Sequence, residues 1–118
     1  MVYMLMIYAD EADWAHQSTA EMLPTLQAHK VLEDEMRAAG KFRGGGGLAT
    51  TETSKTVRFR DGAPTVMDGP FAETKEQFGG FYLVDARSLD EAVAYARRIP
   101  GVANRAIEVR AVLHHAPP

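Results

Sequence analysis

Gly79-Gly80-Phe81-Tyr82-Leu83-Val84, followed after Asp85-Ala86-Arg87 by Ser88-Leu89-Asp90-Glu91, is the stretch on which the fold turns. Phe81 to Val84 are apolar at successive positions, so the segment reads as a strand that wants cover on both faces. Ser88 with Glu91 three residues on is a capping box. The hydroxyl accepts from the third helical amide while the carboxylate reaches back to the cap amide. Leu89, Ala92, Val93, Ala96 and Ile99 then form one apolar stripe, and Pro100-Gly101 end the helix. A strand at Ile107 to Leu113 completes a β-α-β unit.

The same order stands at the other end of the chain. Tyr3 to Tyr8 is again apolar at successive positions. Ser18-Thr19-Ala20-Glu21 is a second capping box, and the helix it opens runs to about Ala39, with Gly40 as its stop. Pro24 predicts either a kink or a late start with the proline in the first turn. A strand follows at Phe42 to Thr50, loosened by Gly44-Gly45-Gly46-Gly47, which suits a bulge or a close backbone approach. Between the two halves, Thr56 to Arg60 and Thr65 to Met67 flank Asp61-Gly62, a strong hairpin signal. The fold class is therefore α+β, a ferredoxin-like split β-α-β two-layer sandwich with an inserted β-hairpin. Its first and third main strands lie in the middle of the sheet. The last strand alternates Ile107, Val109, Ala111 and Leu113 with Glu108, Arg110 and His114, as suits an edge.

Composition narrows the function classes. The chain has 118 residues, 46% hydrophobic and 25% charged, which is the size of one domain spanning residues 1–118. Thirteen Lys+Arg against 16 Asp+Glu give a formal net charge of −3, which argues against a nucleic-acid or membrane-surface protein. The absence of cysteine excludes thiol catalysis and disulfides and suits a cytoplasmic location. The apolar opening stops at Asp10-Glu11, short of the ~20 residues of a membrane span, and lacks a basic n-region. Two helices cover only one face of the sheet. The other face would show alternate residues of the two central strands to water, a patch that soluble monomers rarely leave open. A homodimer through that open sheet face is the expected remedy.

Two places could carry chemistry. The first is the loop Asp68-Gly69-Pro70-Phe71-Ala72-Glu73-Thr74-Lys75-Glu76-Gln77, where charges crowd around one apolar ring. Asp68 or Glu73 near Lys75 could serve as a general base or orient a substrate, with Phe71 and Glu76 as ligand contacts. The alternative is a solvated surface loop anchored by Phe71. The second is His29, which shares a helix face with Met22, Thr25, Leu26, Leu32 and Met36. Glu33, one turn on, could pair with it, raise its pKa and hold one tautomer, as a general base requires. The alternative is a half-buried histidine satisfied locally. Asp10, Glu11, Asp13 and His16 match no metal-ligand spacing, so no metal and no cofactor is expected. Trp14 beside them reads as packed over a sheet edge or a dimer rim.

Asp68-Gly69-Pro70-Phe71, Glu73-Thr74-Lys75-Glu76-Gln77 and Gly79-Gly80-Phe81-Tyr82 together resemble the DGPF-domain branch of the YCII-related proteins. The likeness extends through Tyr3 to Tyr8, Leu32 to Gly40, Leu89 to Ala92 and Ile99-Pro100. It implies a dimeric α+β barrel of ferredoxin-like subunits but no particular reaction. In the wider group, a histidine on the first helix and an aspartate near the end of the second are proposed to act together. His29 stands at the histidine place. Ile99, preceded by Arg97 and Arg98, stands at the aspartate place. The resemblance also implies a link to extracytoplasmic-function sigma factors. Two readings follow: a cofactor-free small-molecule-binding protein or enzyme with a cleft near His29 and the Asp68–Glu76 loop, or a non-catalytic interaction module serving a sigma factor.

Overall fold

In chain order, the computed structural model, which describes residues 1–118, contains β1 (Val2–Ala9), α1 (Thr19–Ala38), β2 (Phe42–Gly47), β3 (Lys55–Arg60), β4 (Ala63–Asp68), β5 (Gln77–Asp85), α2 (Leu89–Ala96) and β6 (Ala106–Ala111). Short 3-10 turns occupy Glu11–Asp13 and Thr51–Thr53. The doubly apolar segments β1 and β5 pair with each other in the middle of a four-stranded antiparallel sheet ordered β2-β5-β1-β6. Tyr3 lies opposite Val84 and Leu5 opposite Tyr82, so all four project from one face. That face meets Leu32 and Met36 of α1 and Ala92 and Ala96 of α2 in a single core cluster, with Ile99 closing it. Leu5, Met36, Val84 and Ile99 are completely buried. Each contributes about 1.5–3 kcal/mol through removal of apolar surface from water. No helix is long and apolar enough to cross a membrane.

The local signals are satisfied in detail. At the start of α1 the Ser18 hydroxyl accepts from the Glu21 amide at 3.1 Å, and the Glu21 carboxylate accepts from the Ser18 amide at 3.1 Å. At its end Gly40 adopts a left-handed φ of 72°, its amide donates to Arg37 and the Lys41 amide to Met36, the two bonds of a Schellman stop. The helix does not start late. It begins at Thr19 and carries Pro24 within it. The hairpin turns on Asp61 and Gly62, both at positive φ, as a type I′ turn demands. β3 and β4 form their own two-stranded arm outside the main sheet.

Three expectations need correcting. α2 ends at Ala96 rather than at Pro100, because a residue preceding proline is pushed out of the helical region and the chain tightens to Arg98→Tyr95 and Ile99→Ala96 bonds. Ile99 still reaches the core, whereas Leu89 is exposed. At the start of α2 only half of the capping box forms. The Ser88 hydroxyl accepts from Glu91, but the Glu91 carboxylate turns to Lys41 at 2.5 Å and Arg87 at 2.6 Å, which hold it down at about 2. β6 ends at Ala111, leaving Leu113 in solvent.

Gly45 of β2 and Gly80 of β5 are required by how closely the two strands lie. A Cβ at Gly45 would sit 2.9 Å from the Phe81 carbonyl oxygen, and one at Gly80 would sit 3.1 Å from the Gly46 carbonyl oxygen. Pairing also skips a residue between Phe42 and Gly44. A Cβ at Gly47 meets nothing within 4 Å. Gly45→Ala should therefore destabilise the fold by about 1–3 kcal/mol, since the obstruction is backbone and cannot rotate away. Gly47→Ala should stay within about 0.5 kcal/mol of wild type. Urea unfolding of the two variants side by side checks the difference.

Candidate functional site

The apolar stripe of α1 does two things along its length. Leu32 and Met36, in the C-terminal half, press into the core. Met22, Thr25 and Leu26, in the N-terminal half, roof a cavity of about 660 Å³. Opposite them the sheet offers the glycines of β2 together with Gly79 and Gly80 of β5, which carry no side chains to fill the space. Trp14 from the first connection, Leu48 after β2, and the Pro100–Arg105 connection close the sides. Trp14 thus lines the cavity, with its ring 3.8 Å from where a Gly79 Cβ would stand.

His29 sits where the stripe changes from core to cavity wall. Its Nδ1 lies 2.6 Å from the Tyr82 hydroxyl, and the two rings are 5.8 Å apart. Burial pushes the imidazole below its ordinary value, and the Arg105 guanidinium adds to that push. Burial likewise pushes the Tyr82 phenol up to about 12, with the Glu33 charge contributing. Near neutral pH both rings are uncharged. This corrects the expected His29–Glu33 pair. Glu33 instead accepts from Arg37 at 2.8 Å, and Arg37 stacks 4.2 Å from the centre of the Phe42 ring. A glutamate four residues before an arginine is the favourable orientation on a helix, and it wins over the histidine. The imidazole pKa consequently moves down, not up.

Arg105 is the other polar element of the wall. Its Nε donates to the Ile99 carbonyl at 2.9 Å, its Nη2 donates to the same oxygen, and its Nη1 donates to the Val102 carbonyl at 3.1 Å. It makes no ion pair. The place where the resemblance expected an aspartate thus holds a buried Ile99 whose backbone fixes an arginine.

The loop residues do not join this cavity. Asp68 ends β4 and pairs with Lys55 across the hairpin at 2.5 Å, not with Lys75. Phe71 is exposed, its ring 4.9 Å from the Arg58 guanidinium. Glu73, Lys75 and Glu76 are exposed, and none lines the cavity. The loop's order comes from its ends. The Gly69 amide donates to Ser54, Thr56 donates to the Gly69 carbonyl, and Gln77 accepts from the Glu11 amide at 2.8 Å. Glu11 in turn accepts from the Thr51 amide and hydroxyl. Asp10 caps the turn Glu11–Asp13, and the acidic side chains there form no metal-holding group. Of the expected site residues, the structure brings His29 and Glu33 to one cavity and leaves Asp68, Phe71, Glu73, Lys75 and Glu76 outside it. Reading the sequence missed Tyr82, Arg105 and Trp14. Only the alternation of β5 offered a signal, since it put Tyr82 on the same face as Val84.

Because folded His29 takes up a proton less readily than it does in the unfolded chain, the unfolded state binds more protons as pH falls below about 6.5. His29 burial is therefore tolerated fully above that pH and destabilises the fold below it. Melting temperature should drop between pH 7.5 and 5.5, and His29→Gln should flatten the drop. An NMR titration of the imidazole should place its midpoint below the ordinary histidine value.

The YCII-related domain family matches residues 1–115. A protein of Rhizobium meliloti (strain 1021), described as uncharacterized, is 40% identical over 97 residues, which are 82% of this chain and 78% of the relative. With the β-α-β order repeated around a mostly antiparallel sheet, and a family match across nearly its full length, the chain belongs to the YCII-related domain family.

Proposed function

We propose that this chain binds a small molecule in the cavity between α1 and the sheet and that neutral His29 accepts a proton there. One observation carries the reading. His29 Nδ1 is engaged by Tyr82 at 2.6 Å on the wall of a 660 Å³ cavity, while its Nε2 has no protein partner. With Nδ1–H donating to the phenol oxygen, the Nε2 lone pair is left to take a proton from a ligand. Burial supports this, since a histidine kept unprotonated near neutral pH is ready as a base. Tyr82 replaces the carboxylate of the expected dyad. It holds the ring without adding a charge that would protonate it.

A thermal-shift screen against a metabolite panel tests the reading. A ligand at about 100 times its Kd should stabilise the wild-type chain by about 2.7 kcal/mol. His29→Ala should fold, because His29 lies outside the core cluster, and should lose the shift. Equal shifts with both proteins would sink the site. A His29→Ala protein that retains capture of a sigma factor would favour the interaction-module reading, for which the exposed Val57, Phe59 and Val66 of the arm are the available surface.

The finer family placement belongs to the same reading. The run Asp68 to Gln77 supports the DGPF-domain branch. The sheet face away from the helices carries Met4 and Tyr8 from β1 and Leu83 from β5, all half-buried, with Met6 buried among them, and none of them joins the helix-side core cluster. That supports a homodimer closing as an α+β barrel. Light scattering should give twice the 13.0 kDa chain mass, and Met4→Glu should shift it toward the monomer. A wild-type monomer at micromolar concentration refutes the dimer.

A further inference from the structure

Resting on that site, we infer that its ligand is a carboxylate with an apolar body, held at its anionic end by Arg105. The cavity wall carries two arginines. Arg37 is neutralised by Glu33 at 2.8 Å. Arg105 has no counter-ion, and its three hydrogen bonds all go to the backbone carbonyls of Ile99 and Val102. Of the five N–H donors of a guanidinium, one on each Nη is therefore left without a protein acceptor. Half-buried charges of this kind are normally paired, because taking a charge out of water without a partner is costly. The backbone bonds keep Arg105 in place without cancelling its charge, as a site prepared for an anion requires. A planar carboxylate matches the two remaining donors.

The rest of the wall selects the body. Trp14, Phe42, Leu26 and Val102 present apolar surface, and the glycines of β2 and β5 leave a smooth floor where a flat ring can lie against backbone. Two consequences can be observed. The Arg105 charge pushes the His29 imidazole down, so an anion bound at Arg105 should push it back up. Trp14 is the single tryptophan and lines the cavity, so its fluorescence reports occupancy.

The probes are 1-naphthylacetate and its uncharged isostere 1-naphthylacetamide, titrated against the full chain by Trp14 fluorescence. The acid should bind about 10–100-fold tighter than the amide, the span expected of hydrogen bonds to a charged group. It should also raise the His29 NMR midpoint. Arg105→Gln keeps a donor for the Ile99 carbonyl but removes the charge, and it should bring the acid down to the affinity of the amide. Arg105→Lys should restore part of it. If Arg105→Gln fails to fold, the acid–amide comparison on the wild-type chain still decides. Equal binding of acid and amide, lost in His29→Ala, overturns the carboxylate and leaves the small-molecule site standing. Failure of the acid to change Trp14 fluorescence or the His29 midpoint overturns the carboxylate assignment. If the metabolite screen also produces no His29-dependent shift, the site itself falls.

Discussion

The site depends on one steric constraint, the absence of side chains where β2 crosses β5. A methyl at Gly45 would collide with the Phe81 carbonyl at 2.9 Å, so β2 can join the sheet in this register only with glycine at that position. The same missing side chains leave the helix-facing surface of the sheet bare beneath the first half of α1. Sheet pairing and cavity volume therefore share a cause. Filling the floor at Gly45 would push β2 off its partner.

α1 translates that bare floor into a site. Its stripe is continuous in sequence, yet Leu32 and Met36 are buried in the core while Met22, Thr25 and Leu26 stand over open space. His29 falls at the boundary, close enough to the sheet to reach Tyr82 and far enough along the helix to face the cavity. Desolvation then pushes the imidazole below its ordinary value, while Nε2 is left without a protein partner. Arg105, tied to the backbone beyond α2, sets the charge of the space.

Much of the fold was legible because its signals are local. Ser18 and Glu21 are three residues apart, Gly40 follows its helix directly, and Asp61-Gly62 dictate their own turn. The central position of β1 and β5 was legible from their unbroken apolar runs. The site was less legible. His29 stood out as a polar residue on an apolar face, but its partner lies 53 residues away on a strand, at no helical spacing. Glu33 is at the right spacing and takes Arg37 instead. The Asp68–Glu76 charges resemble a reactive loop, yet Asp68 pairs with Lys55 and the others face water on the connection between β4 and β5.

The sequence by itself determined the elements, their order and the two strands that must lie inside, because capping, turn geometry and hydrophobic periodicity act over a few residues. It also singled out His29. Only the tertiary structure decided what His29 faces, because that follows from how β5 aligns with β1 and how the Pro100–Arg105 connection folds back. Those choices are made by packing between segments distant in the chain. They set the direction of the histidine's pKa, its phenol partner and the single uncompensated positive charge beside it.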